Sequence, residues 1–104
     1  MENFRIVYRE DQVVVGPEGE LTRSSYPEFE TSLRESLSGN VAVEFDMSKV
    51  DFVDSSGVVF MLRMRELLEG RNLDFVFSNL NDNAREMLLG LKLEKILRLG
   101  DRES

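Results

Sequence analysis

Apolar and polar positions alternate from the start of the chain. Phe4, Ile6 and Tyr8 fall on one side of an extended stretch and Arg5, Val7 and Arg9 on the other, which predicts a strand. Glu10-Asp11-Gln12 supplies a turn and Val13-Val14-Val15 begins a second strand, a hairpin whose first strand lies toward a sheet edge. Gly16-Pro17 interrupts that run, because proline cannot donate to a sheet ladder, and Glu18-Gly19-Glu20-Leu21-Thr22 resumes it.

The period then changes to that of a helix. Ser25-Tyr26-Pro27-Glu28 has the spacing of a capping box, and Tyr26, Phe29, Leu33 and Leu37 recur on one helical face until Gly39-Asn40. Val41 to Asp46 predicts the next strand, and a crossover helix between strands implies parallel pairing. Glu44 is out of place in a strand covered on both faces, so one face is expected to be thinly covered. Met47 to Val53 carries the chain across the end of the sheet to Asp54-Ser55-Ser56-Gly57, where an apolar helix begins and runs to Gly70-Arg71-Asn72. Leu73 to Phe77 predicts a further strand, Asn79 to Asp82 a turn and cap, and Ala84, Met87, Leu88 and Leu91 a third helix ended near Gly90. Leu93, Ile96 and Leu97 form a short strand or helix. The order is β-β-α-β-α-β-α, an α/β domain with a mixed four- or five-stranded sheet and helices packed on it, spanning residues 1–104.

Composition narrows what such a domain can do. A length of 104 residues suits one domain with a real core, and no segment is long enough to span a bilayer. There is no cysteine, so disulfide and thiolate chemistry are excluded; with no basic, apolar leader, a cytoplasmic location is expected. A net charge of −7 disfavours nucleic acid and anionic membranes as partners. With no histidine, a Ser-His-Asp hydrolase cannot be assembled on Ser55 or Ser56, and no phosphate-binding loop or metal cluster stands out. A stand-alone enzyme therefore ranks last, and no cofactor or metal is expected.

What remains is the Asp54-Gly57 turn. A strand that turns sharply into a helix leaves the first helical N–H groups unpaired and the positive end of the dipole facing the turn. Negative charge is favoured there, so a phosphate on a serine would not melt the helix. The ordinary alternative is that Asp54, Ser55 or Ser56 caps the helix. Helical spacing places Val59, Phe60 and Arg63 beside Ser56, as partner contacts or, for Val59 and Phe60, as core. Thr22, Ser24 and Ser25 are candidate contacts at the neighbouring strand end, alternatively ordinary loop residues.

The run from Asp46 through Asp54-Ser55-Ser56-Gly57 to Val58 resembles the signature of STAS domains, in particular bacterial anti-sigma-factor antagonists. Gly19-Glu20-Leu21 is similar to that family's second-strand element, which adds Glu20 to the candidate contacts, and the order of elements agrees over nearly the whole chain. The resemblance implies a partner-switching phosphoprotein. Ser56 would be the phosphoacceptor, Asp54 would orient the turn, Ser55 would cap or assist, and Gly57 would permit close backbone approach. The implied partners are an anti-sigma factor of histidine-kinase-like ATPase fold, which phosphorylates Ser56, and a PPM-type serine phosphatase; the unphosphorylated form binds the anti-sigma factor and frees the sigma factor. Thr22 departs from the acidic residue common in relatives, and Val59 and Arg63 stand where small residues are common. Two other classes share the turn: an unphosphorylated STAS-like subunit of a lipid-transport ABC assembly, and a nucleotide or small-anion sensor.

Overall fold

The computed structural model describes residues 4–21, 26–37, 41–93 and 95–97, without the side chains of Glu20 and Phe52. Its elements are β1 (Phe4–Tyr8), β2 (Gln12–Glu20), α1 (Tyr26–Ser36), β3 (Ala42–Asp46), β4 (Lys49–Phe52), α2 (Ser55–Gly70), β5 (Phe75–Ser78) and α3 (Asp82–Gly90). The five strands form a mixed sheet in the order β1-β2-β3-β5, with β4 paired to β2. Only β1 and β2 are antiparallel, and β1 lies at the edge, as the hairpin predicts.

Two features differ from the sequence expectation. β2 runs unbroken through Gly16-Pro17, whose register partners, Arg5 and Phe4, lie in β1 alone. On its other side β2 pairs with β3 through residues 12–15 and with β4 through residues 18–20, so the proline falls between two parallel stretches. The second difference is β4 itself. Within the supposed connection from Met47 to Val53, Lys49 and Asp51 are exposed around a buried Val50, in a four-residue strand that continues the line of β3 along β2. Near the C-terminus, Leu93 to Leu97 closes a turn through a 2.9 Å bond from the Leu97 N–H to the Leu93 carbonyl, burying Leu97 but not Ile96.

Strand periodicity divides the sheet into two unlike faces. On one, Val15, Phe45 and Phe77 are in register, as are Val13, Val43 and Phe75, and all six belong to the core formed with α1, α2 and α3. Phe29 of α1 is the hub of an aromatic group, with Phe4 at 4.9 Å and Phe60 at 5.0 Å, and Tyr26 meets Phe60 edge-on at 5.1 Å. Such pairs contribute about 0.5–1.5 kcal/mol each beyond area burial. The opposite face carries Val7, Val14, Glu44 and Val76 in one row. Val7 is exposed, Glu44 and Val76 are half-buried, and Val14, though buried, lies outside the core cluster. This is the thinly covered face that Glu44 implied. Its carboxylate accepts a 2.6 Å bond from the Ser78 hydroxyl, which meets part of the cost of leaving water.

Candidate functional site

The parallel strands β2, β3 and β4 and the following turn bring α2 to the carboxyl end of the sheet, where α/β folds commonly hold their ligands. Asp54 is the N-cap of α2, in extended conformation; its Oδ1 accepts from the Gly57 N–H at 3.1 Å and its carbonyl from the Val58 N–H at 2.9 Å. The cap is thus Asp54 and neither serine. Ser55 stands exposed at the first helical position, and Ser56 follows half-buried at the second. No acidic side chain lies in the first turn of the helix itself, so within the cap and first turn Asp54 is the acid that faces the positive end of the dipole.

Gly57 brings the start of α2 close to the end of β2. A Cβ built there would sit 3.0 Å from Val53 Cγ1 and 3.3 Å from the Leu21 carbonyl oxygen. Both neighbours are buried and one is backbone, so neither yields readily. The glycine is needed for space where the start of α2 meets the end of β2.

Of the residues that helical spacing groups with Ser56, the structure separates one. Phe60 is 2% exposed and packed among Tyr26 and Phe29, so it is a core residue and not a partner contact. The apolar run from Val58 to Leu62 surrounds the helix, and the sequence therefore could not say which side faces inward. Val59 is half-buried and Arg63 exposed, and both remain on accessible surface. The Arg63 guanidinium carbon lies 5.9 Å from the centre of the Tyr26 ring, a cation–π contact at the rim of a groove of about 260 Å³ between α1 and α2. Glu30, Arg34 and Glu66 line the same groove, with Glu30 and Arg34 ion-paired at 2.6 Å. Burial, and next the nearby Glu30 charge, push the Tyr26 hydroxyl up to about 12, so it stays neutral. Thr22, Ser24 and Ser25 lie outside the described residues, as does the side chain of Glu20.

The sequence reading missed a polar network on the thin face of the sheet. Asp46 Oδ1 accepts from the Asn79 amide and from the Ser48 N–H, each at 3.0 Å, and Oδ2 meets Arg5 at 3.5 Å. Arg5 also pairs with Glu18 at 3.3 Å and lies over Gly16, where a Cβ would come within 2.7 Å of its guanidinium. Burial pushes the Asp46 carboxyl up, but its hydrogen bonds and the Arg5 charge outweigh that and hold it below its usual range. Alternating charge on a strand next to a glycine in its partner was the available signal.

Among the described residues, no group of side chains is arranged to hold a metal ion, and no helix is long and apolar enough to cross a membrane.

Comparison with known proteins adds to this geometry. A family model described as "Mlab, STAS domain" matches residues 5–99. No curated protein sequence matches this one. Among solved structures, a Thermotoga maritima chain described as a candidate anti-sigma-factor antagonist is similar with a TM-score of 0.79 at 18% identity, over 94% of this chain and 86% of that one. An anti-sigma-factor antagonist from Mycobacterium paratuberculosis gives 0.75 at 22% identity, over 92% and 82%. The STAS domain of a SulP transporter from Vibrio cholerae gives 0.72 at 16% identity, over 92% and 78%. At these identities the structures share the fold.

Proposed function

The chain belongs to the STAS domain family, and on that premise we propose that it is an anti-sigma-factor antagonist switched by phosphorylation of Ser56. Unphosphorylated, it binds an anti-sigma factor of histidine-kinase-like ATPase fold and so releases the sigma factor. That ATPase phosphorylates Ser56, and a PPM-type phosphatase restores the binding form. The domain performs no catalysis of its own, contacts no nucleic acid and acts in the cytoplasm.

The start of α2 carries this reading. Asp54 caps the helix without using either serine, the first turn holds no other acid, and Ser56 stands half-buried beside Gly57, where a Cβ has no room. A phosphate there meets a favourable dipole on its own chain but brings nearly two negative charges against whatever partner covers the turn. A thousandfold loss of partner affinity requires about 4 kcal/mol, within reach of one desolvated, repelled phosphate and without refolding.

A second reading keeps the fold, which the STAS domain of a SulP transporter shares, but makes the chain a permanently unphosphorylated structural subunit of a lipid-transport ABC assembly, with the same turn as a fixed interface. Affinity capture from the native cells with wild-type and Ser56→Ala baits separates the two. The antagonist reading expects a histidine-kinase-like ATPase enriched by Ser56→Ala. Transporter subunits captured equally by both baits would replace it with the structural reading.

A further inference from the structure

The segment that delivers the Asp54 turn is held from the α3 side by two asparagines. Among the described strands, β4 is paired with β2 alone. Asn81, the N-cap of α3, accepts from the Ala84 N–H through Oδ1 at 2.8 Å. That bond fixes which end of the amide is which, so the NH₂ group faces the other way. There Nδ2 sits 3.3 Å from the Asp51 carbonyl and 3.5 Å from the Val50 carbonyl, three and four residues before Asp54. Asn79 takes a left-handed backbone, φ 60°, which asparagine tolerates better than most residues. Its amide donates to Asp46, whose same oxygen accepts from Ser48 at the β3–β4 junction. The loop entering α3 thereby holds β4 directly through Asn81 and the β3–β4 junction through Asn79 and Asp46.

We propose that Asn79 and Asn81 are positioning residues for the Asp54-Gly57 turn, coupling the start of α3 to the start of α2. Neither touches Ser56; Asn81 acts through the β4 backbone and Asn79 through the Asp46 side chain at the β3–β4 junction. Their role in switching rests on the phosphoacceptor assignment above; their role in holding the turn does not. A cap needs only the acceptor of Asn81, whereas the contact to β4 needs its donor, so substitution separates the functions. Asn81→Ser keeps a good cap with a side chain too short to reach β4. Asn81→Asp keeps the cap and turns an oxygen toward the two carbonyls. Asn79→Gly keeps the left-handed backbone and removes the bond to Asp46.

The test is amide hydrogen exchange by NMR on the unmodified full chain. The amides of Gly57 and Val58 report the α2 start, those of Ala84 and Arg85 the α3 start, and that of Val43 the sheet, where it bonds to the Asp74 carbonyl at 2.9 Å. Relative to Val43, Gly57 and Val58 should exchange roughly fivefold faster in Asn81→Ser, about the worth of one ordinary hydrogen bond, and faster still in Asn81→Asp. Asn79→Gly should accelerate the same two amides. Ala84 and Arg85 should be unchanged in both Asn81 variants. Acceleration confined to Ala84 and Arg85, or equal at all five amides, would overturn the proposal by making Asn81 a plain cap or a general stabiliser. Because no phosphate is involved, a bare Ser56 in cells would leave this result intact, and a failed exchange test would leave the Ser56 assignment intact.

Discussion

The starts of α2 and α3 are built on the same cap and differ in what surrounds it. Asp54 and Asn81 are both extended, and each accepts from the amide three residues on, Gly57 at 3.1 Å and Ala84 at 2.8 Å. At α3 the first turn carries its own acid, Asp82, and Ala84 is buried. At α2 the first turn carries two serines and no acid, and the position of Ala84 is taken by a glycine with no room for a methyl. The difference teaches that capping chemistry alone does not mark a switch. On the proposed reading, what marks it is a first turn without an acid of its own, with Ser55 exposed and Ser56 half-buried.

The largest predicted effect breaks the comparison outright. Ser56→Glu should weaken binding to the anti-sigma partner by about a thousandfold relative to Ser56→Ala, some 4 kcal/mol, measured by calorimetric titration. Equal affinities for the two variants would remove the electrostatic mechanism. The corresponding change at α3, Asn83→Glu, should leave affinity unchanged.

Exchanging the third helical residues should cost stability in both directions. Gly57→Ala would normally gain helix propensity, but the contacts at 3.0 and 3.3 Å make overpacking win, with a net loss of about 1 kcal/mol in denaturant unfolding. Ala84→Gly should lose about 1–2 kcal/mol, combining propensity with a lost buried methyl. A stabilised Gly57→Ala would show that the α2 start has space to spare.

Removing the α2 cap sharpens the contrast further. Asp54→Ala should lower stability by about 1 kcal/mol and Asp54→Asn by only a few tenths, since either oxygen can accept from Gly57. A loss from Asp54→Asn as large as that from alanine would mean that the charge toward the dipole, and not the bond, matters most.

The smallest effect is one of pH. The Asp46 carboxyl is held below its usual range in the folded chain, so its contribution is present above the unfolded value and is lost as pH falls through the folded one. Asp46→Asn should therefore be less stable than wild type near neutral pH, with the gap closing on acidification below about pH 4. Thermal unfolding at stepped pH checks this, and a gap independent of pH would contradict it.

How much of this was legible in the chain depended on the range of the interactions. The hairpin, the helical faces of Tyr26, Phe29 and Leu33, and the strand–turn–helix around Asp54 rest on local periodicity and end signals, and these are where the structure has them. β4 was missed because four residues of charged–apolar alternation look like a polar connection until β2 is beside them. Phe60 stayed open between partner contact and core, because an apolar run all around a helix carries no direction, and burial places it in the core. Asn79 and Asn81 were visible as a turn and a cap, but their bonds to Asp46, Val50 and Asp51 span 30 to 33 residues. No local pattern encodes those.

The most direct test of the central claim is site-localised mass spectrometry of the chain purified from its native cells. Trypsin releases Val50–Arg63, a peptide whose only serines are Ser55 and Ser56. The predicted result is a single phosphate on Ser56, removed by a PPM-type phosphatase. Phosphate on Ser55, or a peptide bare under every growth condition, would contradict the assignment of Ser56 as the switch.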